Sequence, residues 1–484
     1  MSTNKRLAIL VGGGPAPGIN SVISSATIRA ALAGREVIGI TDGFKWIMRG
    51  DISKVRTLSI DEVSRIHFRG GSYIGTARDN PTTDEKFLET TVNSLLRLNV
   101  DKLITIGGDD TAYSALRLSQ VSDGRVHVVH VPKTIDNDLN LPYEIPTFGF
   151  QTARHLGTKL VENLMVDSTT TSRWYFVISM GRSAGHLALG IGKATGATLT
   201  LIPEEFREEK IKLRRVVDIL VGAIVKRLAY GKPFGIAVIA EGIASKIDEK
   251  DLEALEDVER DEHGHIRIAE INIGGILKEQ VQKELKRYGQ KMTIVAKNIG
   301  YELRCSDPIP YDIEYTRDLG FCAAEYLLEG GNGALISIQT NKFVPIPLES
   351  LINPDTKKMS VRKVDINSES YKIAYKYMVR LIQEDFDDPH ELAKFAAICN
   401  LSLDEFRKLF EYTLGDHGKV WNKEDVKRRS EEHVRKFGLQ KANIQIEEQK
   451  SKNENREKIN REKKDSSKKS DTNTEKKNDN KNKK

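Results

Sequence analysis

The residues Pro132-Lys133-Thr134-Ile135-Asp136-Asn137-Asp138 come directly after an aliphatic run, Val126 to Val131. Two other runs are also followed by turns: Leu103 to Ile106 precedes Gly107-Gly108-Asp109-Asp110-Thr111, and Leu7 to Val11 precedes Gly12-Gly13-Gly14-Pro15-Ala16-Pro17-Gly18. Short β-branched or aliphatic runs are typical of buried parallel strands, and ligands bind beyond the carboxyl ends of such strands. The three turns are therefore predicted to meet in one crevice.

These turns carry the residue types that phosphoryl transfer requires. The donor needs backbone N–H groups of glycine turns, a carboxylate-bound Mg²⁺, a cation at the moving phosphoryl group and a base for the accepting hydroxyl. The glycines, Asp109, Lys133 and Asp136 fit these roles in that order. Each motif alone is weak, because glycine bends and Asp-Asn-Asp loops are common structural features. Their conjunction favours a phosphotransferase.

The combination resembles the phosphofructokinase family, and Asp110 and Lys133 resemble its pyrophosphate-dependent branch, since ATP-dependent members usually have glycine at both positions. The resemblance runs from about Arg6 to about Lys342, and more loosely to about Phe410. It implies transfer of a phosphoryl group from pyrophosphate to the 1-hydroxyl of fructose 6-phosphate, which gives fructose 1,6-bisphosphate and phosphate. Such a step is expected to be reversible and to serve glycolysis and gluconeogenesis.

The resemblance also implies roles for individual residues. Asp136 is expected to be the general base, Lys133 and Asp110 to act in catalysis and donor choice, and Asp109 to hold Mg²⁺ with help from Asp138. The expected diphosphate contacts are Gly13, Gly14 and Arg78. The expected fructose 6-phosphate contacts are Thr134, Ile135, Asp136, Met180, Gly181, Arg182, Glu241, Tyr301, Glu302, Leu303 and Arg304, with Arg173 reaching the 6-phosphate from a neighbouring subunit.

Some positions depart from the family pattern. Tyr301 stands where many members have histidine, and Val295 where an arginine is often found, so Lys297 is considered as a substitute cation. Bacterial ATP-dependent members carry two effector-binding arginines where this chain has Ser24 and Ile28. An anionic effector would lose both charge partners, so no regulation by ADP or phosphoenolpyruvate is expected at that pocket. His186 is interpreted as a packing or capping residue.

The alternation of strand and helix patterns predicts two interleaved doubly wound three-layer α/β domains. The catalytic region is placed at residues 1–345, with 1–140 and about 290–345 as the donor-binding domain and 141–290 as the sugar-phosphate domain. Thr293 to Ile299 is expected to be a strand that returns to the first domain. Residues 346–438 are predicted to be mostly helical, with Glu369 to Glu384 and Asp404 to Tyr412 as the better helices, and packing or a subunit contact is their only predicted role.

The net charge of +6 belongs to the end of the chain. Residues 441–484 hold 15 Lys and Arg against 9 Asp and Glu, so the preceding residues hold 60 of each sign. A neutral body argues against a general nucleic-acid-binding face, and the Lys-, Asn- and Ser-rich segment cannot bury a core. Residues 439–484 are therefore predicted to be a disordered, solubilising tail, with RNA or ribosome tethering as the alternative.

Cysteine content and hydropathy indicate a compartment. Three widely spaced cysteines, Cys305, Cys322 and Cys399, give neither a disulfide framework nor a metal-ligand pattern. The start of the chain shows no signal-peptide apolar region, and no apolar run approaches the length of a membrane span. A cytoplasmic protein that binds neither membrane nor nucleic acid is expected, and the family resemblance implies a homodimer or homotetramer.

Other functions remain open at this point. An ATP-dependent 6-phosphofructokinase of the same fold would turn over nucleotide, and a non-catalytic sugar-phosphate-binding protein would bind substrate without turnover. A lipid or NAD kinase with a Gly-Gly-Asp loop is disfavoured, because the chain pairs Met180-Gly181-Arg182 with the segment from Thr134 to Asp138.

Overall fold

The structure is a computed structural model that describes residues 5–142, 145–253, 271–353, 356, 358–415, 420–436, 438, 449–450 and 452. Residues 1–417 form one compact unit, and residues 418–484 form a second. Within the second unit, residues 423–436 are helical. Apart from 449, 450 and 452, the predicted disordered tail at 439–484 lies outside the described residues.

The strands of the first unit follow the aliphatic runs of the sequence. Their bounds are β1 (Arg6–Val11), β2 (Val37–Ile40), β3 (Val55–Leu58), β4 (Val100–Gly107), β5 (His127–Thr134), β6 (Phe148–Gly149), β7 (Trp174–Ser179), β8 (Leu199–Leu201), β9 (Gly235–Ala240), β10 (Ile294–Ile299), β11 (Ala334–Gln339), β12 (Lys342–Pro347), β13 (Ile352–Asn353) and β14 (Lys358–Met359).

Helices connect most of these strands. Their bounds are α1 (Ile19–Leu32), α2 (Ile60–Val63), α3 (Glu85–Arg97), α4 (Asp109–Val121), α5 (Phe150–Thr171), α6 (His186–Thr195), α7 (Leu213–Ala229), α8 (Ile243–Lys246), α9 (Glu249–Glu253), α10 (Ile273–Arg287), α11 (Tyr301–Arg304), α12 (Pro310–Leu328), α13 (Glu369–Tyr377), α14 (Gln383–Asp387), α15 (Pro389–Cys399) and α16 (Leu403–Phe410). None of the helices in the described ranges is long and apolar enough to cross a bilayer.

The first unit is built around two sheets whose inner strands are parallel. The first has the order β12-β11-β5-β4-β1-β2-β3, with β6 beside β5, and its two edge strands, β12 and β3, are antiparallel to their neighbours. The second has the order β10-β7-β9-β8 and is parallel throughout. Helices pack against both sheets, and one hydrophobic core contains residues from both, among them Ile106 and Val238. This is the predicted α/β fold of parallel sheets layered with helices.

The predicted return of residues 293–299 to the first domain is wrong. Strand β10 pairs with β7 in parallel, from Ile294 beside Trp174 to Ile299 beside Ser179, and so belongs to the second sheet. The chain rejoins the first sheet at β11, where Ala334 lies beside Val129. A short aliphatic run is compatible with either sheet, because pairing partners are set by tertiary contacts and not by the run itself.

The region after Phe343 is less helical than predicted at its beginning. It opens with β12 and continues with the two-stranded pair β13 and β14. The predicted helix from Glu369 to Glu384 is two helices, α13 and α14, separated by extended residues. In this gap the Val379 N–H donates to the Thr198 carbonyl at 2.7 Å, and the buried Arg380 pairs with Glu205 at 2.8 Å. These tertiary bonds override the local helical pattern.

Candidate active site

Loops from the carboxyl ends of both sheets line one cleft of about 940 Å³. In the first sheet β1, β4 and β5 lead into the glycine turn, the Asp109 turn and the Asp136 loop, and in the second sheet β7, β9 and β10 lead to Met180, Glu241 and Tyr301. Parallel strands present their carboxyl ends at one edge, and here two such edges face the same cleft. The lining residues that were predicted site residues are Gly13, Arg78, Asp109, Asp110, Asp136, Met180, Arg182, Glu241, Tyr301, Glu302 and Arg304.

The glycine turn is fixed against the loop that carries Arg78. The Gly13 N–H donates to the Ala77 carbonyl at 2.8 Å, and the Thr76 hydroxyl donates to the Gly13 carbonyl at 2.6 Å. Gly13 has a φ of 79°, which favours glycine, and its N–H is not free for an anion. The backbone hydrogen bonds of the described residues include none from the Gly14 N–H, which leaves Gly14 as the available donor of this pair.

Three cations meet at this turn. Lys133 is buried at the end of β5 and donates from Nζ to the Gly14 carbonyl. A Cβ on Gly14 would lie 2.9 Å from Nη1 of Arg304, so this guanidinium also sits against the turn. Burial, and then the positive charges of Arg304 and Arg78, lower the pKa of Lys133 to about 8. Such a cluster is costly without an anion and is suited to a multiply charged phosphate.

Asp136 lines the cleft and is close enough to Lys133 and Arg304 for their charges to act on it. Its Oδ1 is buried and has no hydrogen-bond partner among the described residues. Burial is the main cause that raises the pKa of Asp136 to about 7, with the charges of Asp138 and Glu241 adding to it and Lys133 opposing it. A carboxylate with a pKa near neutrality and an unsatisfied oxygen in a cleft is well matched to general base catalysis.

The Asp136 loop is held by bonds within itself. The Thr134 hydroxyl donates to Asp138 Oδ1 at 3.1 Å and accepts from the Asp136 N–H at 3.0 Å. Asn137 adopts a left-handed φ of 56°, which asparagine tolerates better than most residues, and its Oδ1 accepts from the Thr147 N–H at 3.0 Å. These bonds fix the backbone on both sides of Asn137.

Asp109 and Asp110 are the first two residues of helix α4. Gly108 is the N-cap, and the Asp110 N–H donates to Asp109 Oδ1 at 2.9 Å. The described residues contain no cluster of three potential metal ligands. Mg²⁺ usually takes only one or two carboxylates and completes its shell with water and phosphate oxygens. Asp109, with Asp138 close enough for its charge to be felt, fits that donor set.

The second sheet supplies the opposite wall. Gly181 follows β7 with a φ of 136°, and its carbonyl accepts from the Gly242 N–H at 3.0 Å. This bond ties the Met180-Gly181-Arg182 turn to the end of β9, where Glu241 lies 3.6 Å from Arg182 Nε. These two segments, which carry expected fructose 6-phosphate contacts, thus lie together, and their contact with a sugar phosphate stays a prediction.

The segment after β10 completes this wall. Tyr301 is 76% exposed, and the guanidinium of Arg304 lies 4.7 Å from the centre of its ring. Lys297, the possible substitute cation, is an exposed residue of edge strand β10, whereas Asn298 beside it lines the cleft. The described lining of the cleft does not include Lys297, so nothing supports a direct role for it.

Some predicted contacts do not present a side chain to the cleft. Ile135 and Leu303 are buried in the hydrophobic core, so they can meet a substrate only through backbone atoms. Arg173 precedes β7, at the opposite end of that strand from Met180, and its Nε lies 3.8 Å from Asp167. Arg173 is therefore remote from the cleft of its own chain. His186 begins α6 and donates from Nε2 to the Arg362 carbonyl at 3.0 Å, which is a structural contact as predicted.

Two further residues support the site and were missed in the sequence. His130 is fully buried on β5, and burial lowers its pKa to about 3, so the ring is neutral. Its Nε2–H donates to the Gly107 carbonyl at 3.1 Å, and Nδ1 accepts from the Thr105 hydroxyl at 2.9 Å. Arg362 contacts the Asp136 loop. A lone histidine in a strand and a lone arginine outside any motif give no local signal.

The fold and the cleft define a two-sheet α/β protein with carboxylates and guanidinium groups gathered in one cleft, and the comparisons with known proteins identify its family. The chain belongs to the phosphofructokinase family, since the family model described as Phosphofructokinase matches residues 6–327. A pyrophosphate--fructose 6-phosphate 1-phosphotransferase from Thermotoga maritima is 51% identical over 84% of this chain and 99% of its own length. The protein of that name from Naegleria fowleri is 46% identical over 84% of this chain and 95% of its own.

A solved structure supports the fold. The structure described as a pyrophosphate-dependent phosphofructokinase from Nitrosospira multiformis has a TM-score of 0.57 and 17% identity. The match covers 77% of this chain and 92% of the chain of that structure. At this identity the likeness establishes the shared architecture alone.

The raised pKa of Asp136 predicts a cost to stability that asparagine would remove. An unfolded chain loses this proton near the ordinary pKa of 3.8, whereas the folded protein keeps it to about 7. Between these values the folded state binds more protons, so the carboxyl group's contribution to stability falls as pH rises through the window. Asp136→Asn should therefore raise the free energy of unfolding by about 1–3 kcal/mol at pH 8 in metal-free buffer.

Thermal unfolding from pH 4.5 to 8 in the presence of a chelator measures this difference. We expect the midpoint of the variant to exceed that of the wild type most at pH 8, with the gap closing toward pH 4.5. A gap that stays constant across the series, or one of opposite sign, would show that burial of Asp136 does not strain the folded state.

Proposed function

We propose that this protein transfers a phosphoryl group from pyrophosphate to the 1-hydroxyl of fructose 6-phosphate. The observation that carries the proposal is the buried ammonium of Lys133 at the Gly13-Gly14 turn, with Asp136 among its charge neighbours. A buried cation and the carboxylate of Asp136, which lines the cleft, are thus close enough for their charges to interact. The names of the Thermotoga and Naegleria relatives, which match this chain over most of its length, support the same reaction.

The donor would bind at the cationic turn. The Gly14 N–H and the guanidinium of Arg78 hold the diphosphate, and Lys133 places its charge against the phosphoryl group that moves. In this position Lys133 offsets the negative charge that spreads over the equatorial oxygens in the transition state. Its depressed pKa of about 8 still leaves it mostly protonated at neutral pH.

The acceptor would bind on the second-sheet side. Arg182 and Arg304 suit the phosphate of the sugar, and Glu241 suits its hydroxyl groups. The 1-hydroxyl gives its proton to Asp136 as its oxygen forms a bond to the phosphorus. The bridging P–O bond of pyrophosphate then breaks, and phosphate leaves with the electron pair of that bond. In the reverse direction protonated Asp136 returns the proton to the sugar oxygen.

Asp109 would hold a Mg²⁺ ion, with Asp138 supporting it. The fit rests on the donor set, because one carboxylate at the first turn of α4 faces a cleft where phosphate oxygens supply the other ligands. When bound, Mg²⁺ would neutralise charge on the diphosphate oxygens and on the leaving phosphate.

Assembly and compartment follow as part of the proposal. Arg173 lies at the far end of β7 from its own cleft, so it contacts the 6-phosphate only if a second subunit presents it. A homodimer or homotetramer would meet this need. A cytoplasmic location accords with the thiols of Cys305, Cys322 and Cys399, which are free.

Phosphorus NMR of purified protein with pyrophosphate, fructose 6-phosphate and Mg²⁺ tests the reaction itself. We expect one fructose 1,6-bisphosphate for each phosphate formed, with the reverse reaction starting from those two products. A chelator in excess should stop both directions. Release of two phosphates without a sugar ester, or no change in any signal, would contradict the proposal.

A further inference from the structure

Arg362 binds the loop that carries the predicted general base. Its Nε donates to the Asn137 carbonyl at 3.1 Å, Nη1 donates to the Ile145 carbonyl at 3.0 Å, and Nη2 donates to Asn137 Oδ1. Its own backbone N–H donates to the Asp138 carbonyl at 2.7 Å. One residue therefore makes four hydrogen bonds to the loop on the C-terminal side of Asp136, and two of them go to Asn137, one to its carbonyl and one to its side chain.

The segment around Arg362, residues 359–364, is anchored at both ends and is called the clamp segment below. Met359 is 4% exposed and packs in a core cluster of the first sheet, and Val364 is 8% exposed and packs in the core shared by both sheets. Between them Val361 forms an antiparallel bridge with Leu139. Arg362 is thus presented to the Asp136 loop by a fixed piece of backbone and not by a free loop.

The clamp segment also binds the sugar-phosphate side of the cleft. The Arg362 carbonyl accepts from His186 Nε2 at 3.0 Å, and the Val364 N–H donates to Glu204 Oε1 at 3.0 Å. The same Glu204 oxygen accepts from the Gly185 N–H at 2.9 Å. Gly185 and His186 end the turn that begins with Met180, so the clamp segment connects both walls of the cleft.

We propose that Arg362 is a positioning residue that holds Asp136 in a fixed position relative to the Met180-Gly181-Arg182 turn. The inference rests on the proposed function for its kinetic consequences, but its structural basis is independent of the substrates. Arg362 lies beyond residues 6–327, the range that the family model matches. It gives the C-terminal region a chemical role that the sequence did not predict.

Arg362→Lys is the sharpest single test. Lysine keeps the charge but loses the forked contacts to Asn137 and Ile145, because an ammonium cannot reproduce the planar guanidinium geometry. We expect kcat with pyrophosphate to fall on the order of 10- to 100-fold, as for other residues that orient a catalytic group. The KM values should change by less than about 3-fold, since the substrate-contacting residues stay in place.

Lys363→Ala is the matched control. Lys363 is the exposed neighbour of Arg362 in the clamp segment, and its loss should leave kcat unchanged. Arg362→Ala should lose more activity than Arg362→Lys and should recover part of it on addition of millimolar guanidinium ion but not of methylammonium. Recovery by the missing chemical group separates positioning from a general loss of folding.

A double-mutant cycle tests whether Arg362 acts on kcat through its contact with Asn137. Asn137→Gly keeps the left-handed conformation accessible but removes the oxygen that Arg362 binds. If Arg362 acts through this loop, the two kcat effects should be less than additive, because both substitutions remove the bond between Arg362 Nη2 and Asn137 Oδ1. Fully additive effects would overturn the inference.

Hydrogen exchange of the amides in residues 134–147 provides a readout without turnover. Arg362→Lys should exchange faster there than wild type and Lys363→Ala, with other segments unchanged. If the wild type fails to transfer phosphate, the proposed function is wrong. The hydrogen-exchange rates alone then decide whether Arg362 of the clamp segment holds the Asp136 loop. If the wild type is active but Arg362→Lys matches Lys363→Ala in kcat or in exchange, the positioning role is wrong.

Discussion

Asp136→Asn is expected to lower kcat with pyrophosphate and fructose 6-phosphate by on the order of 10²- to 10⁴-fold, because it removes a base while keeping the shape of the side chain. The affinity for fructose 6-phosphate should stay nearly intact. The unpartnered Oδ1 and the pKa near 7 mark this carboxylate as the group in the cleft best able to accept a proton. Steady-state kinetics in both directions should show equal losses, since both use the same proton.

The variant must be separated from an indirect effect on Lys133. The negative charge of Asp136 supports the protonated ammonium, so its removal lowers the pKa of Lys133 further. Kinetics at pH 6.5, below the wild-type Lys133 pKa of about 8, favour the protonated cation in both proteins. Asp404→Asn, at the exposed first turn of α16, is the matched control with no expected effect. Turnover of Asp136→Asn within about 3-fold of the wild type would remove Asp136 from the mechanism.

Substitution of Asp110 is expected to change the preference between ATP and pyrophosphate by an amount comparable to the loss of kcat in Asp136→Asn. Asp110 lines the cleft beside Asp109 at the start of α4, and a carboxylate there opposes the further phosphate of a nucleotide by charge and by volume. Asp110→Gly should raise the ratio of kcat/KM for ATP to that for pyrophosphate on the order of 10²-fold. Lys133→Gly should chiefly lower kcat with pyrophosphate, and the double change should move preference toward ATP.

Asp110→Asn separates the two causes, because it removes the charge and keeps the volume. If charge dominates, Asn and Gly should relax the exclusion of ATP equally, and if volume dominates, only Gly should. Both variants need thermal midpoints beside the kinetics, since an acidic residue at a helix N-terminus stabilises the helix by about 0.3–1 kcal/mol. An unchanged ratio of the two specificity constants in Asp110→Gly would show that Asp110 does not select the donor.

The sequence predicted the parts of the site that are local. Asp109 and Asp136 each follow a buried run within a few residues, so the strand–turn pattern alone placed them at the ends of parallel strands. The carboxyl ends of such strands share one edge, and this rule predicted a common crevice without any knowledge of the tertiary contacts. Met180 and Glu241, which the family resemblance indicated, also follow two parallel strands, β7 and β9.

What the sequence could not predict depends on contacts between distant residues. Arg362 meets Asn137 across 225 positions, and no spacing rule connects them. Strand β10 was assigned to the wrong sheet because its aliphatic run does not specify a partner. The break before α14 comes from Arg380, whose buried pairing with Glu205 holds the backbone extended where the local pattern is helical. Gly13 was expected to bind the anion by its N–H, which Ala77 already accepts.

The most direct test of the account compares donors on the wild-type protein. Initial rates with fructose 6-phosphate and Mg²⁺ should be measured with pyrophosphate and with ATP in parallel, with fructose 1,6-bisphosphate as the product detected. We expect kcat/KM for pyrophosphate to exceed that for ATP by on the order of 10²-fold or more. Equal or better use of ATP would contradict the assignment of Asp110 and Lys133 to a pyrophosphate site.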